Sequence, residues 1–155
     1  MSDLSHTLDL KPTGMATMDA THDEFWALLQ QLKQTPVAEQ LALYQTVIAH
    51  TQAHFEQEDR WMLLSGFAAG NCHTKQHMGV LETMRAVVPH FEDGDHDIIV
   101  RMTDALLEWF PQHSNDMDTG LAQHLASLGF DARTETFTQA PHAEPIEGCG
   151  GVQCG

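Results

Sequence analysis

The chain has 155 residues, with 22 Asp and Glu against 7 Lys and Arg, a formal net charge of −15 with neutral histidines. That length suits one domain with a sizeable core, and the charge repels phosphate backbones and anionic lipid, which argues against a nucleic-acid or membrane-surface role. The N-terminus has neither the basic start and apolar run of a signal peptide nor, anywhere downstream, a span of about 20 apolar residues, so the expectation is a cytoplasmic protein.

Residues 1–17 are polar, include Pro12 and Gly14, and read as an N-terminal arm. The spacing then predicts a first helix from an N-cap at Asp19 to about Lys33, with His22, Phe25, Trp26, Leu29 and Leu32 on one stripe. Thr35 and Pro36 mark a stop and a restart, because proline is tolerated in a first helical turn. The second helix carries Leu41, Tyr44, Val47, Ile48, His54, Phe55, Glu58, Trp61 and Met62 before ending near Gly66. After a short connection through Ala68, Ala69 and Gly70, a third helix presents His73, His77, Val80, Leu81, Met84 and Val88 and ends near Pro89. Residues 91–97 are acidic and read as a loop. The fourth helix has Ile98, Met102, Ala105, Leu106, Trp109 and His113 on one face, kinks at Pro111 and resumes toward Leu128. Beyond Gly129 the periodicity stops, and residues 131–155 read as a flexible tail. No strand pattern occurs. Four amphipathic helices with short connections make an all-α, up-down-up-down four-helix bundle over residues 18–130 the expected fold.

Eleven histidines are the compositional anomaly. His54 with Glu58, and His73 with His77, are pairs four residues apart, so each pair points two ligating side chains to the same helix face. His22 and His113 lie on the apolar stripes of the other two helices. A lone histidine on such a face is usually a core residue satisfied by a hydrogen bond. Five imidazoles and two carboxylates buried without compensation would cost several kcal/mol per uncompensated group, so a metal that accepts their lone pairs is the economical explanation. Imidazole suits zinc, copper, iron and nickel. Seven donors exceed the four of a structural zinc site and suit two ions sharing carboxylates.

In order, His22, the run HFEQE from His54 to Glu58, the run HTKQH from His73 to His77 and the run HSNDMD from His113 to Asp118 resemble the hemerythrin family, including its bacterial single-domain members. The resemblance covers about residues 15–128. It implies a non-haem di-iron site with two Fe ions joined by an oxo or hydroxo bridge. His73, His77 and His113 would bind one iron and His22 and His54 the other, with Glu58 and Asp118 bridging. The iron with two histidines keeps an open position, where dioxygen would bind. Such a histidine-rich site is less electron-rich than carboxylate-rich di-iron sites and favours reversible dioxygen binding over oxidation of a substrate.

One tension is geometric. From His113 the same-face positions on an ideal helix are Asp116 and Met117, whereas the family pattern selects Asp118, so a local distortion is required and Asp116 stands in reserve. The tryptophans Trp26, Trp61 and Trp109, close in sequence to the proposed ligands, read as bundle core. His6, His90, His96 and His142 read as surface groups, His50 as an exposed helix residue and His124 as a bundle-end residue. Cys72, Cys149 and Cys154 are too few and too unevenly spaced for a disulfide framework, in agreement with a reducing compartment. Cys72 reads as a packed thiol, and Cys149 and Cys154 as tail thiols or a redox or accessory metal contact.

The functional expectation is reversible dioxygen binding for storage, transport or sensing, with dioxygen as the partner and no nucleic acid or membrane. The rivals are a di-iron oxidase, peroxidase or nitric-oxide-handling enzyme, and a metal- or oxygen-responsive regulator acting through the cysteine-containing tail.

Overall fold

A computed structural model describes residues 10–67 and 72–141. Four helical rods make up the fold: α1 (Ala16–Lys33), α2 (Val37–Leu64), α3 (Cys72–Glu92) and a fourth built from α4 (Ile98–His113), a π-helical turn (Ser114–Asp118) and α5 (Thr119–Ser127). No strand occurs among the described residues, where β pairing is limited to isolated bridges such as the one between Asp131 and Thr136.

Cross-helix contacts define the directions of the rods. Between α1 and α2, Glu24 meets His50 and His22 meets Glu58; between α2 and α3, Tyr44 meets Met84 and Asp59 meets His77. Lys33 pairs with Asp104 and His22 with Ser114 between the first and fourth rods. In each case a later residue on one helix faces an earlier residue on the other, so neighbours are antiparallel. Each helix packs on the next, and α1 packs on α4 to close the ring. This is the up-down-up-down bundle that four periodic stripes and short connections demand.

Several boundaries differ from the sequence expectation for local reasons. Helix α1 has its N-cap at Met15, four residues before the expected Asp19, which lies in its first turn. There one Asp19 carboxylate oxygen accepts both the Thr13 backbone N–H and the Thr13 hydroxyl at 2.7 Å, which ties the segment before the helix to it. Helix α3 runs through Pro89 to Glu92, because proline forfeits one hydrogen bond near the end of a helix. The positive φ of 111° at Gly94 then turns the chain. Residues 131–141 fold back on the bundle, with Arg60 bound to Glu135 and Phe130 against Trp61. The expected connection at 68–70 and the cysteine run from Cys149 to Cys154 lie outside the described residues.

The interior is divided. A large apolar cluster contains Phe25, Trp26, Leu29, Tyr44, Val47, Met84, Ile99, Leu106 and Phe110, and a smaller one contains Met18, Trp61, Met62, Phe67, Leu121 and Leu125. Polar side chains fill the layer between them, which is where the chemistry of the fold is concentrated.

Candidate metal centre

All seven sequence-selected residues meet in that layer, each 3% exposed or less. Their ligand atoms form two adjoining groups, each within 4.8 Å: Glu58, His73, His77, His113 and Asp118 in one, and His22, His54, Glu58 and Asp118 in the other. The two carboxylates belong to both. Helical periodicity places the α2 and α3 pairs, while rings cover the imidazoles on the side of the large apolar cluster: Phe55 stacks on His77 at 3.9 Å, Trp109 stacks on His113 at 4.4 Å and Phe110 meets His22 edge-on at 4.9 Å.

Asp118 reaches the cluster because of the π-helical turn. There the Thr119 N–H bonds the Ser114 carbonyl, a five-residue step, so a residue five positions after His113 returns to its face. Asp118 Oδ1 lies 3.2 Å from His113 Nε2 and 2.8 Å from His73 Nε2, while Oδ2 lies 3.1 Å from His22 Nε2. Asp116 is exposed. The distortion that the sequence required is thus a widened turn beginning three residues after Pro111.

The cluster's electrostatics follow from burial and mutual contact. Burial alone would lower His22 and His73, but close polar contact with Asp118 and Glu58 and their negative charge hold both up at about 9. His77 is raised in the same way, with Asp59 and Glu58 overriding its burial. Burial dominates at His113 and lowers it, which keeps that ring neutral. Burial pushes Glu58 and Asp118 up, yet the surrounding histidines prevail and hold both carboxyls well below their ordinary range. A metal-free cluster therefore holds anionic carboxylates against protonated imidazoles.

The donors fit a metal better than they fit one another. Glu58 Oε2 is 2.7 Å from His54 Nε2, but Glu58 Oε1, His73 Nε2 and both Asp118 oxygens make no well-directed hydrogen bond despite contacts of 2.8–3.4 Å. Lone pairs that converge on a common space while fully buried are costly unless a cation accepts them. Ring orientation points the same way. His77 Nδ1–H donates to Asp59 Oδ1 at 2.8 Å and His113 Nδ1–H donates to Gln76 Oε1 at 2.9 Å, which directs both Nε2 atoms inward.

Asp59 and Gln76 are not among the residues that spacing selects: each supports a histidine on another helix, so no signal along the chain marks either one. Of the remaining histidines, His50 is partly buried and bonded to Glu24, and His124 Nε2 meets the Ser65 carbonyl at 3.0 Å. His90 and His96 are exposed. Cys72 departs from the packed thiol expected of it: it is disulfide-bonded, one residue before His73.

A four-helix bundle with a buried histidine–carboxylate cluster made of two adjoining ligand groups defines the class as a metal-binding helical bundle. Residues 13–125 match the family model of the hemerythrin HHE cation binding domain. A bacteriohemerythrin from Ralstonia nicotianae is 37% identical over 122 residues, covering 79% of this chain and 89% of the relative. The chain belongs to the hemerythrin family. No solved structure matches it, and no helix among the described residues is long and apolar enough to cross a membrane.

Proposed function

We propose that the chain binds dioxygen reversibly at a non-haem di-iron centre, for oxygen storage, transport or sensing. The observation that carries this reading is the convergence of five buried imidazoles and two carboxylates, among which Glu58 Oε1, His73 Nε2 and both Asp118 oxygens lack a hydrogen-bond partner. His73, His77 and His113 would hold one iron, His22 and His54 the other, and Glu58 and Asp118 both. When bound, the iron pair would supply the two electrons that dioxygen takes up.

The protein's own contribution is placement and exclusion. With three histidines on one side and two on the other, the shared carboxylates leave the His22–His54 side with fewer donors, which suits an added diatomic ligand. Phe25, Phe55 and Phe110 ring that side and are at most 1% exposed. Their burial keeps water and anions from the donors, which would slow loss of the reduced state.

Ferrous protein prepared without oxygen should take up two irons per chain, develop a visible absorption on admission of air and lose it under vacuum. Absence of the band refutes the reading, and steady consumption of oxygen, peroxide or nitric oxide would make the protein an enzyme instead.

A regulatory reading is favoured by one observation, the disulfide at Cys72 beside His73. Reduction should then change the oxygen release rate, and an unchanged rate refutes it. A cytoplasmic location belongs to the same proposal. Disulfides there are usually transient or redox-sensing, so acid-quenched, alkylated cell extracts should contain reduced Cys72; wholly oxidised Cys72 would assign the protein to an oxidising compartment.

A further inference from the structure

The two ligand groups are supported unequally from outside. In the three-histidine group, His77 Nδ1 is held by the Asp59 carboxylate at 2.8 Å and His113 Nδ1 by the Gln76 side-chain carbonyl at 2.9 Å. In the two-histidine group, His22 Nδ1 meets only the Ser114 hydroxyl, at 3.3 Å, and His54 Nδ1 is buried with no partner.

Outer hydrogen bonds decide how well an imidazole serves a metal. An acceptor on Nδ1 commits the proton there, leaves the Nε2 lone pair facing the ion and limits ring rotation. A carboxylate acceptor also increases the donor strength of the ring. Asp59 is itself 32% exposed, so its charge is hydrated and its removal leaves no buried cavity.

We propose that Asp59 is a positioning residue, which acts through His77 to make the His73–His77–His113 group the half that fills first and empties last. Gln76 assists through His113. The His22–His54 group, which lacks such support, is then the half whose metal exchanges. The inference rests on the metal-site reading above and adds an order of loading to it.

The test is a titration of metal-free, full-length protein with cobalt(II) under argon, followed by visible absorption. Wild type should show two resolved steps, and His54→Ala should lose the second while keeping the first. Asp59→Ala should weaken the first step about 10- to 100-fold and leave the second unchanged. Asp59→Asn, which keeps an acceptor without the charge, should fall between. A general structural role for Asp59 would weaken both steps together and would overturn the proposal, as would an unchanged first step in Asp59→Ala or loss of the first step in His54→Ala. Wild-type protein that takes up no cobalt would overturn the metal-site reading, and this inference with it. Two ions in wild type with no effect of Asp59 would overturn only the role assigned here.

Discussion

Metal binding should expel protons, and the size of the effect follows from the cluster. His22 and His73, one in each ligand group, are held at about 9 by Asp118 and Glu58. At pH 7 each is protonated about 99 times in 100, so each incoming ion must displace a proton at a cost of about 2.7 kcal/mol, or roughly 100-fold in affinity relative to the deprotonated site. Both values lie above the ordinary 6.5, so the metal-free fold gains from these protons fully below pH 6.5 and loses that gain as pH rises through about 9. Metal affinity moves oppositely, rising on the order of 20-fold per ion between pH 7 and 8.5. Calorimetric titration with zinc or cobalt(II), in buffers of differing ionisation heat, counts the protons directly. At least two should be released per chain at pH 7, one each from His22 and His73, with a further contribution from His77, which is also raised. Affinity independent of pH, or no proton release, would refute this account of the cluster.

Three further outcomes are expected. Glu58→Ala should reduce iron from two per chain to one or none, because Glu58 touches histidines of both groups, while His96→Ala, exposed on the surface, should keep two; elemental analysis decides, and equal contents would refute the shared role. Asp118→Ala should lose metal in the same assay whereas Asp116→Ala should not, since only Asp118 is carried inward by the π-helical turn. Tyr44→Phe removes a buried hydrogen bond of 2.6 Å from the phenol to the Met84 carbonyl. That change should lower unfolding free energy by about 1 kcal/mol in urea with metal content intact, and loss of metal would show the two ends of the bundle to be coupled.

The sequence alone determined the bundle and most of its polar layer. Apolar stripes at helical spacing and short connections leave few ways to bury four faces, and pairs four residues apart must share a face, so His54 with Glu58 and His73 with His77 were legible before any folding. His22 and His113 followed because each interrupts an apolar stripe. Three things required the tertiary structure. How Asp118, which the family pattern selects, reaches the cluster is one: it lies off the expected face, and the widened turn after His113 brings it to His22 and His73. Asp59 and Gln76 have unremarkable positions along their own helices and acquire meaning only where α3 and α4 present ring nitrogens to them. The disulfide at Cys72 likewise depends on proximity that spacing along the chain does not encode. Local periodicity is set by backbone geometry within one helix, whereas the direction of each imidazole is set by atoms on its neighbours, and those meet only when the four helices pack.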